Sequence, residues 1–162
     1  MEQRAKQKAI DTVDELLVRS FGGRSLFSCC DDGEVTDIRA TLVNVWLGEN
    51  DTKCRLLLEA LIVLLDFYKA GLTAEKVLST WQKLRGRVEG LPYSEAKIDL
   101  AHCDARCLPL AAGSVDLVIT SPPYINVFNY HQQFRASVEA MGWDLLRVAR
   151  SEIGSNRKNR GN

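Results

Sequence analysis

Val115-Asp116-Leu117-Val118-Ile119-Thr120 is a short, apolar, β-branched run with turn-forming residues on both sides. A run of this kind suits a strand of a parallel sheet buried on both faces. Upstream, Lys97-Ile98-Asp99-Leu100-Ala101-His102 alternates polar and apolar residues and reads as a second strand. The connection from Cys103 to Ser114 is about the minimum for a parallel crossover. The fold class expected from these two runs is α/β. Two strands alone are marginal, so further strands are expected between residues 20 and 50 or in a larger fold to which this chain belongs.

Outward from that segment the pattern is helical. Ile10, Val13, Leu17 and Phe21 fall at helical spacing within residues 3–20, and Gly22-Gly23 supplies a stop. A second helix is expected over Val35–Leu47, with Ile38, Leu42, Val45 and Trp46 on its apolar face. Asn50-Asp51 caps a third, Thr52–Ala70, with Leu57, Leu61, Leu64, Leu65 and Tyr68 inward and Gly71 at its end. Thr73 caps a fourth, which buries Val77, Leu78, Trp81 and Leu84. Residues 127–150 again look helical, with Gly142 as an interruption. The expected organisation is a helical region over 1–92 and a second region over 93–162.

Composition narrows the classes. Hydrophobic residues make up 46% and charged residues 26%, as in a soluble globular protein. The 21 basic residues balance 21 acidic ones, so net charge gives no support for nucleic-acid binding. Residues 145–162 nevertheless hold Arg147, Arg150, Arg157, Lys158 and Arg160 against the single acid Glu152. Five cysteines and a polar N-terminus without an apolar h-region point to reduced thiols and the cytoplasm. The most apolar run, Leu56–Leu65, is too short to span a bilayer. The spacing of Cys103 and Cys107 and the adjacency of Cys29 and Cys30 do not make a zinc motif, so no metal is expected.

The chemistry sits in Ser121-Pro122-Pro123-Tyr124. In open parallel sheets ligands bind beyond the carboxyl ends of the strands, where this loop is expected. The two prolines lack N–H donors and leave carbonyl oxygens free to accept. The Ser121 hydroxyl and a proline carbonyl can together hold an exocyclic amine, and Tyr124 offers a flat face for a base taken out of its stack. The competing reading is a rigid turn closing a buried strand, with Tyr124 packed in a core.

Ser121-Pro122-Pro123-Tyr124 after an apolar strand resembles the catalytic motif of S-adenosylmethionine-dependent DNA methyltransferases that act on exocyclic amino groups. Upstream, Cys103-Asp104-Ala105, followed by Leu108-Pro109-Leu110, is similar to that family's acidic strand-end motif, with Cys103 where glycine is usual. Asn129-Tyr130-His131 and Ser151-Glu152-Ile153-Gly154-Ser155 resemble a bacterial branch of the same enzymes. The resemblance covers residues 95–162. It implies a partial Rossmann-like methyltransferase sheet preceded by the helical region, with Ser121 to Tyr124 catalytic. It places Asp104 and Ala105 beside the S-adenosylmethionine donor and Asn129 towards DNA. The basic run Arg157-Lys158-Asn159-Arg160 can contact phosphate, with a solvated loop as the competing reading. Serine ahead of the prolines favours cytosine N4 over adenine N6, as in restriction-modification systems.

A complete enzyme of this family also needs a glycine-rich turn. The chain has no Gly-x-Gly, and Phe21-Gly22-Gly23 follows a helix instead of a strand. The expectation is therefore a truncated product or one part of a split enzyme, completed by a second polypeptide. Two rival readings stand beside it. One is a non-catalytic remnant that binds protein or DNA; the other is a methyltransferase acting on RNA or on a protein amide.

Overall fold

The computed structural model describes residues 2–22, 37–68, 71–92, 95–101, 103–104, 106–121, 130–145 and 147. Six α-helices occur among them: α1 Glu2–Phe21, α2 Ile38–Gly48, α3 Thr52–Leu64, α4 Ala74–Glu89, α5 Tyr130–Gln133 and α6 Arg135–Ala140. A 3-10 turn, Leu65–Phe67, closes α3. Helix α3 is the centre of the assembly, touching α1, α2, α4 and α6, while α1 also packs on α4.

Local chemistry sets the boundaries. Asp37 Oδ1 accepts from the backbone N–H groups of Arg39 and Ala40 and so starts α2. Asp51 does the same for Lys53 and Cys54 at α3, and Thr73 for Lys76 at α4. Each cap satisfies N–H groups that have no partner in the first helical turn. The amide hydrogen bonds hold the Asp51 carboxyl below its ordinary value of 3.8.

The core joins the helices through their stripes. Ile10, Val13, Leu17 and Phe21 of α1 meet Leu58, Leu61 and Ile62 of α3 and Val77 and Trp81 of α4 in one buried cluster. The expected stripes of α1 and α4 are observed, though Leu78 and Leu84 lie only at the cluster's edge. On α3 the stripe is turned. Cys54, Leu58, Leu61, Ile62 and Leu65 are buried, while Leu57 and Tyr68 lie at the edge and Leu64 is only half-buried. Leu56, Leu57 and Leu58 are consecutive, so spacing alone allows several faces. The polar rim of α1 and α4 is also joined. Trp81 Nε1 donates to Asp14, Arg85 pairs with Asp14 and with Glu89 (2.8 Å), and Lys6 Nζ donates to the Val88 carbonyl (3.2 Å).

The α/β expectation is corrected here. No strand occurs among the described residues. Residues 95–101 and 115–120 carry no ladder, and the connection between them makes two local turns, Asp104–Cys107 and Ala111–Ser114. Leu100 is 95% exposed, Ile119 89%, and Leu117 and Val118 75% each. A strand exists only through its pairing, and a sheet face needs an apolar layer against it. The helices turn their apolar stripes towards one another, and the buried cluster draws no residue from 95–121. With no cover and no pairing partner within the described chain, the apolar runs form no Rossmann-like sheet.

The cysteines divide by environment. Cys54 is buried, donates to the Ala9 carbonyl (3.7 Å), and burial pushes its thiol up to about 11, with Asp51 adding to the rise. Cys103 and Cys107 are exposed. Cys29 and Cys30 lie outside the described residues. At neutral pH iodoacetamide should label Cys103 and Cys107 while Cys54 reacts only after denaturation, because the thiolate is the nucleophile. Peptide mapping that finds Cys54 alkylated in the native protein would contradict this packing. Among the described residues no helix is long and apolar enough to cross a membrane.

Candidate functional site

Ser121 ends the uncovered segment and is itself exposed. Its motif partners Pro122, Pro123 and Tyr124 lie outside the described residues, as do Ala105, Asn129, Arg157, Lys158 and Arg160. The parallel strand expected to carry the loop is absent, so Ser121 ends a solvent-facing stretch without regular structure.

Asp104 lies in the first of the two turns. Its carboxylate accepts from the Arg106 backbone N–H (2.9 Å) and from Arg106 Nε (3.0 Å), and Arg106 Nη2 closes the second oxygen. Hydrogen bonds from the Arg106 side chain, then its backbone, hold the Asp104 carboxyl at about 2, below its ordinary 3.8. A depressed carboxyl stabilises the turn fully above its ordinary value, and that contribution disappears as the pH falls through about 2. A carboxyl-detected NMR titration should place the Asp104 midpoint near 2 and return it towards 3.8 in Arg106→Ala. A wild-type midpoint at 3.8 would mean that the turn does not hold in solution.

The methyl donor implied by the resemblance fits this chain only in part. Asp104 is ionised and faces solvent, as an acceptor for a nucleoside requires, but Arg106 engages both of its oxygens. A glycine turn for the methionine end is absent from the sequence. Among the described residues no group of three or more metal-ligating side chains converges.

A second polar centre was not anticipated from the sequence. Asp66, in the 3-10 turn after α3, has a side chain only 2% exposed. Arg39 Nη1 of α2 stands 2.8 Å from Asp66 Oδ1 as an ion pair, while its directed hydrogen bond goes to Ser137 Oγ at 2.7 Å. Oδ1 receives no directed hydrogen bond of its own. Asp66 Oδ2 accepts the Ser137 backbone N–H (3.1 Å), and Ser137 Oγ donates to the Ile62 carbonyl (2.7 Å). Gln133 Nε2 donates to the Asp66 carbonyl (3.3 Å), and Phe134 meets Phe67 edge-on at 5.7 Å. The available signal was a lone acid after Leu61–Leu65, in a run that the helix spacing already buries.

An open cleft of about 340 Å³ adjoins this clasp, bordered by Arg39, Tyr68, Arg135 and Glu139. Its charges are compensated within the chain, Arg39 by Asp66 and Arg135 by Glu139 (2.7 Å). No family model, curated protein or solved structure matches the chain.

Proposed function

We propose that this chain supplies the amine-holding loop of an S-adenosylmethionine-dependent DNA amino-methyltransferase of the cytoplasm, completed by a second polypeptide, with cytosine N4 as the target. The observation that carries the reading is the order of four motifs along one short stretch: Asp104-Ala105, Leu108-Pro109-Leu110, Asp116 to Ile119, and Ser121 to Tyr124. A bare Pro-Pro-Tyr is common in loops, whereas the ordered set is far more specific. The exposure of Leu117, Val118 and Ile119 supports a completing partner, because such a run is ordinarily covered.

The donor's sulfonium supplies the methyl group. The Ser121 hydroxyl and the carbonyl of Pro122 or Pro123 accept hydrogen bonds from the cytosine amine and orient its lone pair. Neither group acts as a strong base; the proton leaves after transfer, when the nitrogen is cationic and acidic. Tyr124 stacks on the displaced base. Asn129 and the basic residues Arg157, Lys158 and Arg160 contact the DNA, the latter three through phosphate. Asp104 accepts a hydrogen bond from the donor's nucleoside once Arg106 gives way.

The test is nucleoside analysis of unmethylated DNA incubated with labelled donor, this chain and the product of the adjacent reading frame. N4-methyldeoxycytidine is the expected product. Tyr124→Ala should lower kcat/KM by the loss of one base–aromatic stack, about 1–3 kcal/mol. Label on adenine N6 would reassign the base, and label only on RNA or protein would replace the substrate class. Tight DNA binding without any label would favour the non-catalytic remnant, a reading that the uncovered apolar segment also supports.

A further inference from the structure

We propose that the cleft beside Asp66 binds a small neutral cyclic amide or ureide, which donates an N–H to Asp66 Oδ1 and accepts through its carbonyl from Arg39. At about 340 Å³ the cleft stands at the lower end of the range for ligand sites, roughly 300–1,000 Å³. Asp66 is the unusual group on its wall. Its side chain is only 2% exposed, and Oδ2 accepts the Ser137 N–H, yet Oδ1 receives no directed hydrogen bond. Arg39 Nη1 meets the charge of Oδ1 at 2.8 Å, but its directed hydrogen bond runs to Ser137 Oγ. Gln133 Nε2 is committed to the Asp66 main-chain carbonyl (3.3 Å). A buried carboxylate oxygen without a donor is costly, and native interiors seldom leave one so.

The borders choose the ligand class. Two guanidiniums, Arg39 and Arg135, and two carboxylates, Asp66 and Glu139, line the cleft and pair within the chain. A charged ligand would be desolvated against pairs that are already neutral, so a neutral one is favoured. Both side-chain contacts of Arg39 run through Nη1, which leaves the N–H groups of Nε and Nη2 for a further acceptor. The wall therefore offers an acceptor and a donor side by side. A small ring holds an amide cis, so its N–H and carbonyl leave the same edge and meet such a pair together. An open-chain amide is trans and points the two apart. Tyr68 has its hydroxyl engaged with Thr80 Oγ1 (3.1 Å), so it adds ring surface to the border instead of a further polar partner. Binding here does not depend on the methyl-transfer reading.

The test is an NMR titration of the isotope-labelled full-length chain with uracil, and separately with dimethyluracil, in which both N–H groups are methylated. Uracil should shift the Gln133 and Ser137 amides and the Arg39 Nε–H signal, saturating in the millimolar range expected of so small a ligand. Dimethyluracil has the same ring and carbonyls but no donor, and should bind at least about tenfold more weakly. Asp66→Asn should weaken uracil by a similar factor. The Ser137 N–H holds the amide oxygen at the Oδ2 position, so the variant turns its NH₂ group towards the ligand's own N–H. The comparison of the two ligands on the wild-type chain decides the matter even where that variant does not fold. Absence of saturable shifts with uracil would overturn the proposal. Equal binding of dimethyluracil would also overturn it, since that is apolar stacking, as would shifts confined to the exposed residues 115–119. Undiminished uracil binding by folded Asp66→Asn would overturn it as well.

Discussion

Leu61→Ala should remove about 2–5 kcal/mol of folding stability, the usual result of emptying a buried leucine site. Ile119→Asp should change stability by less than about 0.5 kcal/mol, as surface substitutions do. Leu61 is fully buried in the last turn of α3, within the core cluster shared with α1, α2 and α4, and close packing resists collapse into the space it would leave. Ile119 is equally apolar but 89% exposed. Urea unfolding followed by helical circular dichroism measures both. Comparable losses in the two variants would mean that residues 115–120 are covered within the isolated chain. Ile119→Asp should instead act on assembly, since a charge there must be desolvated when a second polypeptide covers the run.

The contrast between these residues also marks how far the sequence could be read. Helix α1 was legible because Ile10, Val13, Leu17 and Phe21 fall on one helical face, and of the residues between them only Leu16 and Val18 are also apolar. Asp51 and Thr73 were legible as caps because their short side chains reach the second or third N–H of the next helix. On α3 the consecutive leucines allowed several faces, and only packing against the surrounding helices chose Leu58 and Ile62 over Leu57 and Leu64. Val115–Thr120 misled for a different reason. Its composition records a need for cover, which is the same whether the cover comes from this chain or from another molecule. The candidate site divides in the same way. Ser121 and Asp104 are recognisable from local motifs, and their neighbours in sequence carry the recognition. The Arg39–Asp66–Ser137 clasp draws on α2, the turn after α3, and α6, with separations up to 98 residues, so no local pattern announces it.

Loss of essentially all methyl transfer by the isolated chain is the largest effect expected. The reaction requires the amine and the donor's methyl to be held within about 3–3.5 Å in line, and effective molarities of roughly 10⁵–10⁸ M depend on that placement. In this chain the segment leading to Ser121 is uncovered, and Arg106 engages the Asp104 carboxylate. Among the described residues no fixed surface covers the segment that leads to Ser121. A second polypeptide that covers Leu117, Val118 and Ile119 would supply one. The exposed apolar run should also favour association with such a partner.

The decisive measurement is incorporation of labelled methyl groups into unmethylated DNA by the purified chain, first alone as a sedimentation-verified monomer and then with the product of the adjacent reading frame. No turnover by the monomer and N4-methyldeoxycytidine in the mixture is the predicted result. Turnover by the monomer alone would contradict the account, because it would require a complete donor site within this chain.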